Sequence, residues 1–369
     1  MMKGIVASVF IALVTLLVVA GLGFASPLEE ILSIAPLELV EPMIQFTDWS
    51  KIKSQLGLGF VTSASPVEFR FELARRISQD QAAASAYGLS HLRSHAEEWG
   101  WDTADLDWEA NISSLNLAPT YILKFRDGFD FTPLIGRFLE RGFIQTESYG
   151  ATIFSHELDV GADWTRTTEL SILTTAYLPE ANMLILSSYQ RSVDVFLAVA
   201  AGVLEPLSEG AFARVSVTHL GDPYAAILLL GAGECLGFTP NPILDLLEGV
   251  PMETVIAEFK AKLEKQEVML PFRALAVAYE YKDRLPIGTI VFEYDTPELA
   301  AMDLPLRRAL AEEGTSTYYD APIDDSYFVV LEAEVRESAA ILTVAPINDQ
   351  PWRLFRMIYY RDAVFAGCS

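Results

Sequence analysis

YILKFRDGFDFTPLIGRFLERGF, residues 121–143, decides how the chain folds. Tyr121, Leu123 and Phe125 point to one side and Lys124 and Arg126 to the other, the period of a half-buried strand. Asp127-Gly128 turns the chain. Thr132 then fits an N-cap, Pro133 a first helical position and Gly142 a C-terminal stop, with Leu134, Phe138 and Leu139 as the buried stripe between them. A strand followed by a short capped helix, with period-2 segments beyond it, predicts an α+β fold.

Outward from this stretch, residues 143–148 and 151–156 predict a hairpin about Tyr149-Gly150, and residues 170–178 and 183–186 another, turning at 179–182. Ser187 and Gln190 have capping-box spacing, and Val193, Phe196, Leu197 and Ala200 carry a helical stripe up to Gly202. Upstream, residues 27–41 read as a linker or loosely docked arm. Thr47 or Asp48 caps a short helix over 49–56, stopped by Gly57. In residues 67–77 the alternation at Phe69 and Phe71 favours a strand. Ser78 opens a helix to Trp99 with a stripe of Ala82, Ala86, Leu89, Ala96 and Trp99; Leu106 and Trp108 are buried beyond it.

Downstream, residues 204–210 carry Pro206 and Gly210 and read as a linker before a helix over 212–220 and an apolar strand over 225–230. Residues 238–251 form a proline-interrupted connection and 254–266 an amphipathic helix. Residues 274–281 and 287–294 pair as a hairpin, Thr296-Pro297 starts a helix that Pro305 kinks or restarts, residues 327–334 and 339–345 form a further hairpin, and a last helix covers 352–360. Thr296-Pro297 echoes Thr132-Pro133. Two readings stand: an ancient duplication, and the frequency with which Thr-Pro starts helices. The expected architecture is two similar halves, residues 26–202 and 203–369, the second a possible degenerate repeat. Each is a mostly antiparallel sheet with helices on one face.

Residues 1–25 join Lys3 to an apolar run ending in Gly23-Phe24-Ala25, a signal peptide cut after Ala25 or an uncleaved N-terminal anchor. Either places the rest of the chain outside the cytoplasm, extracellular or periplasmic, and leaves that segment as the only membrane contact. The net charge of −24 repels phosphate backbones and argues against nucleic-acid binding. Cys235 and Cys368 make one disulfide or two buried thiols.

No assembled catalytic motif emerges. The glycines from Gly231 to Gly237 lack the helix that a dinucleotide loop or nucleophile elbow must open, because residues 238–242 contain two prolines. His91 and His95 are four apart on a predicted helix, with Glu98 one turn on, a spacing competent for zinc. The same three residues lie opposite the apolar stripe, as a solvated face would. Asp102, Asp105, Asp107 and Glu109 have calcium-like density without the central Gly or terminal Glu of a calcium loop, so a solvated turn is the expectation.

The opening stretch resembles exported bacterial proteins of unknown function on Gly128-Phe129-Asp130, Leu139, Gly142-Phe143, Tyr149-Gly150 and Phe154. The resemblance implies an envelope or extracellular setting and an α+β fold, and transfers no catalytic residue. The expected function is a non-enzymatic binding or surface module, without cofactor, whose partner is a small molecule or an envelope protein. The alternative is a secreted metal-dependent hydrolase using His91 and His95.

Overall fold

The structure, a computed structural model, describes residues 26–80, 92–156, 173–231 and 269–367. Its frame is one antiparallel sheet of twelve strands. They are β1 (Met43–Asp48), β2 (Leu106–Ser113), β3 (Thr120–Phe125), β4 (Ile144–Ser148), β5 (Ala151–Ser155), β6 (Thr174–Leu178), β7 (Met183–Ser187), β8 (Ala225–Leu230), β9 (Ala274–Lys282) and β10 (Leu285–Glu293). A two-residue pair, β11 (Thr315–Ser316) and β12 (Ala321–Pro322), stands apart, and β13 (Phe328–Arg336) and β14 (Ala339–Pro346) complete the main sheet. The order across it is 13-14-10-9-8-1-2-3-7-6-5-4.

Inside the sheet, β1 and β8 pair antiparallel, with Ile44 opposite Leu228 and Phe46 opposite Ala226. Read outward from β1 the order is 1-2-3-7-6, then 5-4. Read outward from β8 it is 8-9-10-14-13. In both directions three strands are laid down in sequence, a helix opening near Thr-Pro follows, and the last strand returns to pair with the third. The sheet is nonetheless continuous across residues 202 and 203.

Helices cover both faces, not one as the sequence suggested. The reason lies in the central strands: Ala225, Ala226, Ile227 and Leu228 of β8 are all buried, so neither face can be left to water. One face carries α1 (Pro27–Ile34), α6 (Gln190–Ala200) and α7 (Ala211–Leu220). The other carries α2 (Trp49–Gln55), α3 (Val67–Asp80), α4 (Leu92–Trp99), α5 (Thr132–Glu140), α8 (Pro297–Glu313), α9 (Ile323–Ser326) and α10 (Trp352–Tyr359).

Several local expectations change. Residues 27–41 are no loose arm: Ser26 and Glu29 close a capping box on α1, whose Leu28, Ile31 and Leu32 enter the core. Residues 67–77 are helical, because Leu73 and Ile77 bury at helical spacing while Glu72 pairs with both Arg75 and Arg76. Thr132 is the first helical residue, not the cap, and Asp130 Oδ1 accepts its backbone N–H at 2.9 Å. Ser187 ends β7 and α6 starts at Gln190 with Tyr189 at its cap position, so the Ser187 and Gln190 capping box does not form. Pro305 sits inside α8, which runs unbroken. Residues 204–210 dock on α1 through Leu37 N to Glu205 O and Leu207 N to Ala35 O. The hairpins about Tyr149-Gly150 and over β9–β10 and β13–β14 form as expected. The leader and residues 232–268 lie outside the described residues.

Candidate functional site

Two places combine chemistry with shape. The first is a surface groove of about 520 Å³ along α6. Gln190, Arg191, Asp194, Val195 and Ala198 supply its helical wall, Val203 and Leu204 continue it past the helix end, and Tyr149 reaches it from the β4–β5 turn. Tyr149 holds a positive φ of 51°, followed by Gly150 at 78°, which makes the tight turn that lifts its ring from the strands. Val193, Phe196 and Leu197 anchor the opposite side of α6 against the sheet, so the groove wall is rigid. Burial raises the Asp194 carboxyl above its ordinary range. The groove thus has a polar end at Gln190 and Arg191, where the positive end of the helix dipole adds to the guanidinium. Its other end is apolar.

The second place is buried between α7 and the sheet. Glu293 is the last residue of β10 and lies opposite Ala274 on one side and Ala339 on the other. Paired residues share a face, and both alanines belong to the core beneath α7, so Glu293 points at that helix. Its alanine neighbours leave it room. From α7, His219 brings Nε2 to 3.9 Å from Glu293 Oε1, longer than a hydrogen bond. Ser216, one turn earlier on α7, is fully buried. Ser216 Oγ, His219 Nε2 and both Glu293 carboxyl oxygens have no hydrogen-bond partner among the described residues. Burial pushes the Glu293 carboxyl up to about 7, helped by the nearby Glu337 carboxylate and opposed by Ser338. Burial pushes the His219 imidazole down; Glu337 and Glu334 oppose that, and Arg336 adds to it. Each group is thereby driven towards its neutral form.

The residues singled out from sequence fall elsewhere. His91 lies outside the described residues, as do Cys235 and Cys368, so neither a metal pair nor a disulfide is described. His95 sits on α4, and Glu98 on the same helix lies 3.9 Å from Arg141 Nη2. Among the described residues no group of three or more His, Cys, Asp or Glu side chains could hold a metal.

The acidic run is not a solvated turn. Asp102, Asp105 and Glu109 are buried, and the oxygens of Asp102 and Asp105 serve the protein itself. Asp102 caps residues 103–105 and accepts from Arg70 Nη2 at 2.6 Å; Asp105 accepts from the Ser63 and Asp102 backbone and faces Arg126. Beside them buried Lys53 donates to the Ala104 and Leu106 carbonyls. Sequence reasoning missed the Glu293 and His219 pair because no spacing links the two residues. The one available signal was an acid at an inward position of the strand that ends VFEY.

No protein-family model and no curated protein matches the chain. Solved structures of TP0453 are similar to it at a distance. Crystal form I aligns with a TM-score of 0.41 and 11% identity over 89% of this chain and 95% of that one. Crystal form IV gives 0.41 and 10% over 90% and 98%. Among the described residues, no helix is long and apolar enough to cross a membrane.

Proposed function

We propose that this chain is an exported, non-enzymatic binding protein that takes a small amphipathic ligand in the groove along α6. The observation that carries the reading is the groove's division. Gln190 and Arg191 stand at one end with Asp194, whose carboxyl burial shifts towards its neutral form, and Val195, Ala198, Val203 and Leu204 line the rest, with the Tyr149 ring as a side wall. Its volume lies within the range of small-molecule sites. A ligand with an anionic head and a compact apolar body matches both ends. The basic, apolar leader of residues 1–25 supports export.

Titrating the chain with 1-anilinonaphthalene-8-sulfonate, an aromatic body with a sulfonate head, tests the reading by fluorescence. Saturable binding at one site is expected. Arg191→Ala and Tyr149→Ala should each weaken it about tenfold, or about 1.4 kcal/mol, without moving the unfolding temperature. A fluorescence rise that neither substitution alters sinks the assignment.

A further inference from the structure

We propose that His219 and Glu293 are a proton-operated latch that holds α7 on the sheet while the pair carries a single proton, and loosens it when a second proton enters or the first leaves.

The geometry makes the site sensitive to charge. His219 and Glu293 face each other at 3.9 Å across the seam between α7 and β10. Neither the imidazole Nε2 nor either carboxyl oxygen is hydrogen-bonded, and Ser216 Oγ is equally bare. A neutral imidazole and a protonated carboxyl can coexist there at modest cost. An uncompensated charge cannot, because burial of an unpaired ion is far costlier than burial of a neutral polar group. Protonating His219 while Glu293 stays protonated buries a net positive charge. Removing the Glu293 proton beside a neutral imidazole buries a net negative one.

The surrounding groups offset these charges only in part: Glu337 favours a cationic His219, and burial outweighs it. Glu334, Arg336 and Glu337, on β13 and the turn after it, carry the charges that act on His219, and Arg336 is already paired with Glu334. On α1, which packs on α7, Glu29 is taken up in the Ser26 capping box and Glu30 by Lys124. Glu209, in the turn that precedes α7, is exposed. β8 and β9 present alanine and leucine to this face. The C-terminus of α7 favours a cation at His219, yet burial outweighs it and the imidazole is shifted down. The helix is otherwise held by Ala213, Val217 and Leu220, with Phe212 partly buried beside them, an apolar footprint that a buried charge can loosen.

The test is hydrogen exchange of the α7 amides in the full chain between pH 4.5 and 9, corrected for the intrinsic pH dependence of exchange. Protection should be bell-shaped. Glu293→Gln should abolish the alkaline fall and His219→Gln the acid fall, each changing protection at the affected end by about tenfold or more. Histidine ring NMR of the unsubstituted chain supplies a check that needs no variant: one of the four imidazoles should titrate below the ordinary range, with a second inflection near neutrality. A pH profile that both substitutions leave unchanged overturns the latch, as does an ordinary single-step titration of every histidine. Protection of α7 that rises on adding zinc, and does so only while both residues are present, also overturns it by making the site a metal site.

Discussion

Single buried ionisable residues organise much of the C-terminal half, and they differ in how well they are satisfied. Arg307 is fully buried on α8 and uses its whole fork: Asp303 and the Tyr294 hydroxyl at Nε, the Phe365 and Gly367 carbonyls at Nη1, and the Leu270 carbonyl at Nη2. It ties residues 365–367 and Leu270 to one helix. Arg307→Ala should cost about 3–5 kcal/mol in urea unfolding, since it leaves the Asp303 carboxylate buried without its partner. Glu293 is the opposite case, a buried acid with no cation in hydrogen-bond contact and only His219 facing it at 3.9 Å. Its pKa of about 7 stands above the 4.5 of a free carboxyl, so folding favours the protonated form. Its contribution to stability is complete below about pH 4.5 and is lost as pH rises through about 7. Glu293→Gln should therefore match the unsubstituted chain near pH 4.5 and exceed it by about 2–3 kcal/mol above pH 8, read from denaturation midpoints at the two pH values. Beyond the inward position of Glu293 on its strand, none of this was legible in the sequence. The chain has 50 acids, and burial in a particular seam is a property of the assembled sheet.

At the scale of elements, sequence reading succeeded where one period dominated and failed where two competed or where an element ended at another residue. The β9–β10 and β13–β14 hairpins were visible because alternation persists through each strand. Phe69 and Phe71 alternate over only three residues, whereas Phe69, Leu73 and Ile77 keep helical spacing over nine, and the longer period wins as α3. Ser187 does not cap because it ends β7, two residues before the cap position that Tyr189 occupies. Tertiary contact also explains Gly288, in the middle of β10, where a strand would ordinarily prefer a side chain. A Cβ there would come within 2.5 Å of Leu354 Cδ1 and 2.7 Å of Val344 Cγ2, so the glycine is what lets α10 rest on β10. Gly288→Ala should destabilise the protein by about 1–3 kcal/mol through overpacking. Adding Leu354→Ala should cost less in that background than alone, a coupling that a double-mutant cycle in urea would measure.

For the whole molecule, the Thr-Pro echo left duplication and chance both open, and the strand order reads β1-β2-β3-β7-β6 in one direction and β8-β9-β10-β14-β13 in the other. The correspondence has limits. β4 and β5 extend only the first half, and the helix after β7 lies on the opposite face from the helix after β14. The sequence carried no sign that the halves share one sheet. That depends on β1 pairing with β8 across more than 170 residues of chain, and neither strand has a feature that names its partner. Sharing has an energetic consequence. β1 and β8 are each sandwiched between strands on both sides, and Ile44, Phe46, Ala226 and Leu228 bury their side chains in a core that α1 and α7 cover jointly. Separating the halves would strip the ladder from both strands and open that core to water, so neither half retains a closed edge. Calorimetry should accordingly show one transition, with calorimetric and van't Hoff enthalpies in agreement, despite a length at which chains commonly divide into domains. Substituting Ile227 by proline, which removes a ladder donor at the centre of β8, should lower that single transition as a whole. Two resolved transitions, of which Ile227→Pro moved only one, would show instead that the halves fold as separate units joined edge to edge.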